Sequence, residues 1–324
     1  MLDAVHKTIF ELREHNQKSE IMKKLTLLTA ICLLFSVVTI AQNDDDQGGS
    51  VIQNLTPSKL IGKGQVDIKW FNNLFTQTRI ADINGDVRTA PRENFFTSTL
   101  DVFFGVSENR RVSLGAILEF RSNTVGGRGA FDVFSFDGEA GSARSGLTSI
   151  APSIKFVPFE GVSNFSVQSS LIFSIIGSEF DDGVFFDQDG FVIQNRFFYD
   201  IPIGGSNEWQ LFFDLNTELN LGEELNFLND GRSEGSFANN SLRLIPGAFL
   251  SYFPSSKFTV QGFVQHFQLI DLGNEFEQDL TAIGAGAKYQ LTKSLNIEVL
   301  GSYFARGNDS GLGESYNIGL RYVL

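Results

Sequence analysis

The chain has 324 residues, with Lys+Arg 25 against Asp+Glu 38 and a formal charge of −13. That balance excludes nonspecific nucleic-acid binding, which needs a basic surface. A single Cys excludes a disulfide framework, no CxxC or His/Cys cluster offers a structural zinc site, and 42% hydrophobic content excludes global disorder. Phe stands out at 33 residues, beside 32 Gly and only two Met, a composition that suits strands and turns better than helices.

Residues 1–21 precede a second good start at Met22 and read as an upstream extension from a misassigned start codon. Residues 22–41 have a secretory signal layout. Lys23 and Lys24 form the basic region, an apolar run follows from Leu25, and small Thr39 and Ala41 occupy the cleavage positions. The run is short for a transmembrane helix, and an acidic stretch from Asp44 to Asp46 follows it. Cys32 lies inside the signal, so the mature chain carries no cysteine. Residues 42–61 read as a flexible periplasmic leader.

From residue 62 to 324, dyad alternation replaces helical periodicity. In 112–120, Val112, Leu114, Ala116, Leu118 and Phe120 share one face opposite Ser113, Gly115 and Glu119. In 210–221, Leu211, Phe213, Leu215, Leu219 and Leu221 oppose Gln210, Asp214, Asn216, Glu218 and Asn220. About twelve such segments are predicted, near 65–80, 94–106, 112–121, 146–157, 164–177, 190–201, 208–222, 241–253, 258–270, 279–291, 295–305 and 314–324. They exceed the ordinary strand of about 5–6 residues and match the ~9–11 needed to cross hydrocarbon.

The connections alternate. Long loops are expected at 81–93, 122–145, 178–189 and 223–240 and moderate ones at 271–278 and 306–313, with short turns between them. This rhythm predicts an all-β fold: a closed antiparallel transmembrane β-barrel of about twelve strands, with short periplasmic turns and long external loops. Trp70, Tyr199, Trp209, Tyr252 and Tyr289 are candidates for the interfacial aromatic girdles. The lumen face is expected to carry Lys69, Arg79, Glu119, Arg121, Lys155, Arg196, Asp214, Glu218, Arg243, Lys288, Glu298 and Arg321, with Asp67, Asp101 and Asp200. These charges nearly balance, and pairing among Arg196, Asp214, Glu218 and Arg243 is the expected role of that group. Phe71, Phe103, Phe212, Phe249 and Phe304 fall on the same face and hint at a constricted or apolar route.

The Ala41-Gln42 junction with its acidic start, GQVDIKWFNNLFTQT (64–78), LTSIAPSIKFVPF (147–159) and the closing YNIGLRYVL (316–324) together resemble outer-membrane β-barrel proteins of Bacteroidetes. The resemblance covers most of the mature chain and implies the bacterial outer membrane, with outer-membrane lipid and the barrel-assembly machinery as partners. It carries no substrate. The apolar set Tyr316, Ile318, Leu320, Tyr322 and Leu324 resembles the terminal insertion signal of such barrels, which more usually ends in Phe or Trp.

No catalytic residue, metal site or cofactor is predicted. His266 is the single mature histidine, Gln268 stands where a barrel phospholipase would have Ser, and neither GxSxG nor HExxH occurs. Asp271, Glu275 and Asp279 lie near His266 in sequence only. The acidic stretch holding Glu179, Asp181, Asp182, Asp187 and Asp189 misses EF-hand spacing and reads as solvated surface. The sequence therefore favours a non-enzymatic passive channel or small-molecule transporter with a polar lumen. Access to it would be limited by the 123–144 and 223–239 loops. The rival is a non-conducting structural or surface-interaction barrel with acidic external loops, and an outer-membrane hydrolase is a remoter alternative.

Overall fold

The computed structural model describes residues 58–204 and 208–324. The alternating segments form twelve long strands: β1 (Val66–Ala81), β2 (Val87–Gly105), β3 (Val112–Thr124), β4 (Ala143–Phe156), β5 (Phe165–Ser174) and β6 (Phe191–Ile203). They continue as β7 (Trp209–Leu221), β8 (Ser241–Ser255), β9 (Phe258–Asp271), β10 (Gln278–Gln290), β11 (Leu295–Asn308) and β12 (Ser310–Val323). Each pairs antiparallel with its neighbours in sequence. β12 returns to β1 in a register running from Asp67↔Val323 to Ala81↔Ser310, so the sheet closes into a barrel with no free edge. This is the closed twelve-stranded, all-β architecture expected from the alternation.

The two faces of this wall invert the usual rule for burial. Trp70, Leu118, Phe173, Phe213, Val264 and Val299 point outward and are exposed, whereas Asp67, Lys155, Gln168, Asp214, Glu218 and Gln261 point inward and are buried. An exposed apolar band of this extent is untenable in water. It suits a wall bathed in hydrocarbon, where a closed ladder satisfies every backbone group internally. Exposed Tyr199, Trp209 and Tyr289 gather on the outer face near the short-turn rim, where Trp209 also lies tilted against Tyr252 at 4.6 Å between ring centroids.

Two of the expected external loops, one long and one moderate, are not loops. The 81–93 stretch shrinks to a turn at 82–86, in which Asp82 Oδ1 accepts the backbone N–H groups of Asn84 (2.9 Å) and Asp86 (3.0 Å). The 306–313 stretch shrinks to a hairpin at Asp309, which adopts a positive φ of 46°. In both places the strands run on past the apolar band, where neither face needs apolar residues, so the alternation fades while the pairing continues. Glycines added to the disguise. A Cβ at Gly313 would lie 1.9 Å from the Thr76 carbonyl oxygen, so the close β1–β12 approach itself demands glycine.

Residues 1–57, which include the expected extension, signal and most of the leader, lie outside the described residues. The leader's last four residues are described. Ser58, Leu60 and Ile61 are buried, and Ile61 packs on Val323 at the short-turn end of the barrel. A Cβ at Gly105 would sit 1.9 Å from the Gly62 carbonyl oxygen, so glycine lets this segment lie against β2.

Candidate functional site

The inner wall is a lattice of ion pairs. Arg196 pairs with Asp214, Arg243 Nη1 with Glu218 Oε2 at 2.7 Å, and Lys288 Nζ with Glu298 Oε2 at 2.7 Å. Gln194 and Asn216 both donate to Glu218 Oε1 at 2.9 Å. Arg321 grips Asp67 through Nε–Oδ1 and Nη2–Oδ2, both 2.8 Å, a forked bond that joins the last strand to the first. Lys69 and Lys155 lie close by in the short-turn half, together with Leu60, Ile61 and Ser113. The Lys155 ammonium stands 3.6 Å from the centroid of the Phe103 ring.

One expected lumen charge sits elsewhere. A bulge between Gln77 and Arg79 reverses the alternation of β1, and Arg79 turns to the outer face. There it donates from Nη2 to the Tyr303 hydroxyl at 3.1 Å and lies over that ring. Parity alone assigned it to the lumen, and one extra residue undoes parity. A second bulge, between Glu119 and Phe120 opposite Thr148, has the reverse consequence for β4: it brings Arg144 onto the lumen face.

The external connections take two directions, and only one matches the expected pattern. The 175–190 connection folds into the barrel mouth. Arg121 Nη2 reaches Asp187 Oδ1 at 3.1 Å while its Nε bonds Glu119 at 2.7 Å. Asn123 Nδ2 donates to the carbonyls of Phe185 (2.9 Å) and Phe186 (2.8 Å). Arg144 holds the Ser178 and Glu179 carbonyls at 3.0 Å, and Arg243 reaches Gln188 at 3.3 Å. The 222–240 connection is tied to this segment: the Asp182 N–H donates to the Gly231 carbonyl at 3.0 Å and Asn239 Nδ2 to the Asp189 carbonyl at 2.9 Å. Of the 123–144 stretch, expected to limit access, the connection 125–142 instead lies against the outside of the wall. Ser122 Oγ donates to the Val133 carbonyl at 2.6 Å, and Val133 packs between the outward-facing Leu74 and Phe96. The continuing parity of Asn123 with Arg121 was a readable signal for the inward contacts. Nothing local marked Arg144, which reaches the lumen only through the bulge.

Glu179, expected as solvated surface, is fully buried in the inward segment, and neither carboxyl oxygen reaches a hydrogen-bond partner. Burial pushes its carboxyl up to about 8, and the nearby Asp187 and Asp189 charges add to this. Between pH 4.5, the ordinary value, and about 8, the packed segment keeps a proton that an unpacked one has lost. The Glu179 contribution to packing therefore weakens as pH rises through that window. With Phe186→Trp as a reporter, emission should shift toward the exposed form across the window, and adding Glu179→Gln should remove the shift. An unchanged titration in the Gln variant would refute the assignment.

A row of aromatic rings runs beside this segment. Ring centroids step from Phe276 to Phe237 (5.2 Å), Phe185 (6.2 Å), Phe95 (6.2 Å), Phe75 (6.1 Å) and Phe304 (4.6 Å). All six are partly exposed, unlike Phe103 and Phe198, which are packed away. Phe212, Phe249 and Phe263 form a further stack on the β7–β9 side, at 5.5 and 5.3 Å.

His266 faces outward, where its Nδ1 meets Thr281 Oγ1 at 2.9 Å. Asp279 is taken by Arg306 (2.9 Å) and Asn308 (2.8 Å), and Asp271 caps the turn at 273–275, so neighbours in sequence do not assemble an acid–base site.

No protein-family model matches the chain, and no curated protein matches it either. Solved structures do. An outer-membrane channel from Pseudomonas putida F1 aligns with a TM-score of 0.60 at 12% identity, covering 86% of this chain and 99% of that one. The β domain of the Bordetella autotransporter BrkA aligns at 0.49 and 14% identity, covering 79% of this chain and 98% of that one. The first likeness places this chain in the outer-membrane barrel fold, and at such identity it carries fold alone.

Proposed function

We propose that the protein is a non-enzymatic channel for small solutes in a bacterial outer membrane of the Bacteroidetes type, held narrow by the segment folded into its mouth. Outer-membrane lipid and the barrel-assembly machinery are its standing partners. The observation that carries the reading is the 175–190 segment, which fills the mouth through side-chain contacts with Arg121, Asn123, Arg144 and Arg243. A lumen obstructed by a connection can be widened by moving that connection, unlike one filled by its own wall.

Arg121, Arg196, Arg243 and Lys288 are each paired with an acid of the wall, which weakens the net field of the lumen, so weak ion preference is expected. The partly exposed row from Phe276 to Phe304 favours solutes with an apolar or aromatic part, because such a solute would exchange water for ring contact at each step. The test is single-channel recording of residues 42–324 refolded into planar bilayers, beside a variant lacking the inward segment. Ohmic steps that grow when the segment is removed support the channel. A correctly folded pair giving no steps at all refutes it and returns the weight to a non-conducting barrel.

A further inference from the structure

The 125–142 connection is unusual among external connections because it leaves the mouth and is fastened to the outside of the barrel. Asn94 Nδ2 donates to the Arg128 and Gly129 carbonyls at 3.2 Å, the Gly127 N–H donates to the Arg92 carbonyl at 3.0 Å, and Ser145 Oγ holds the Phe136 carbonyl at 2.8 Å. Its one helical turn, Asp132–Ser135, buries Val133 completely. Phe134 and Phe136 touch Phe96 and Phe120 of the wall edge-on or tilted, so the attachment is apolar as well as polar. The charges of the connection are gathered onto one centre, with Arg128 bonded to Asp137 (2.9 Å) and Glu139 (3.2 Å) and Asp132 at 3.8 Å.

That leaves three phenylalanines on the outward side: Phe131 at 75% exposure, Phe134 at 46% and Phe136 at 45%. They are continuous with exposed Leu147 of the wall beside Phe120, and through it with the apolar band. Their height can be reckoned from the strand. Leu74, against which Val133 packs, lies eight residues beyond Val66 along β1. At ~3.3 Å per residue and a tilt of about 40°, that is roughly 20 Å above the short-turn edge of a band about 25 Å tall. The three rings therefore stand at the external border of the hydrocarbon, where aromatics are favoured.

We propose that residues 129–137 form a lateral foot whose Phe131, Phe134 and Phe136 insert into the outer leaflet at the boundary between acyl chains and headgroups. The foot widens the barrel's footprint on the side of β1–β4 and resists tilting toward that side. The occupant is lipid, because the patch continues the wall's own lipid-facing surface. The inference rests on the fold and is independent of whether the lumen conducts.

The test uses the mature chain in lipid vesicles, with Trp70→Phe and Trp209→Phe removing the native fluorophores, and compares Phe131→Trp with Phe227→Trp. Phe227 is 64% exposed in the 222–240 connection and serves as the external control. Trp at 131 should emit at shorter wavelength, be quenched by lipid brominated near the headgroup and be several-fold less sensitive to aqueous iodide than Trp at 227. Equal iodide quenching at both positions would overturn the proposal. So would a blue-shifted emission at 131 that ignores brominated lipid, since a protein partner would then cover the patch. Phe134→Trp gives a second reading if the first variant loses its heat-modifiable, folded form.

Discussion

Replacing residues 180–188 with a short Gly-Ser link should raise single-channel conductance severalfold over the intact barrel. The deletion removes Phe185, Phe186, Asp187 and Gln188 from the mouth, and with them the partners of Asn123, Arg121 and Arg243. Current through a water-filled constriction grows with its free cross-section, and here the narrowing comes from a connection and not from the strands. The freed Arg121 keeps Glu119 at 2.7 Å, so the wall retains a paired charge and cation-over-anion selectivity should move little. Arg121→Ala in the intact chain should act more weakly in the same direction, because Asn123 and Arg144 still hold the segment. An unchanged step size after deletion, in a barrel that still folds, would mean that the constriction lies deeper.

Arg321→Ala should lower barrel stability by about 3 kcal/mol, read from urea unfolding in vesicles. Removing one partner of a buried pair leaves the other charge without compensation, at a typical cost of ~3–5 kcal/mol. Asp67 is buried, and the forked bond spans the seam where β12 meets β1. The low end of the range is expected because Lys69 and Lys155 stay near Asp67. Arg321→Lys should cost less, since the charge survives and only the fork is lost. Asp67→Asn with Arg321→Ala should recover part of the loss, because no buried charge is then stranded. A single variant as stable as the parent would show that the seam is held by its backbone ladder alone.

The barrel itself was legible because lipid on one side and side-chain packing on the other impose opposite demands on successive residues. That demand is written locally, strand by strand, from Val112–Phe120 to Leu211–Leu221. The inner identity of Asp214, Glu218, Arg196 and Arg243 followed from the same alternation. It failed for Arg79, where a bulge inserted one residue, and for the 87–93 and 306–313 stretches, where strands continue beyond the membrane and the alternation ends.

By itself, then, the sequence determined the wall: strand number and faces follow from a period of two and the solvents on either side. Only the tertiary structure decided where the connections go. The 175–190 and 125–142 segments are both polar, Phe-bearing stretches of similar length, yet one enters the lumen and the other lies on the outside. Their difference arises from partners distant in sequence. Arg121, Arg144 and Arg243 draw the acids and carbonyls of the first segment inward. Asn94, Phe96 and Ser122 on the outer face hold the second. No local pattern encodes a contact made between a loop and a strand face that becomes available only once the barrel has closed.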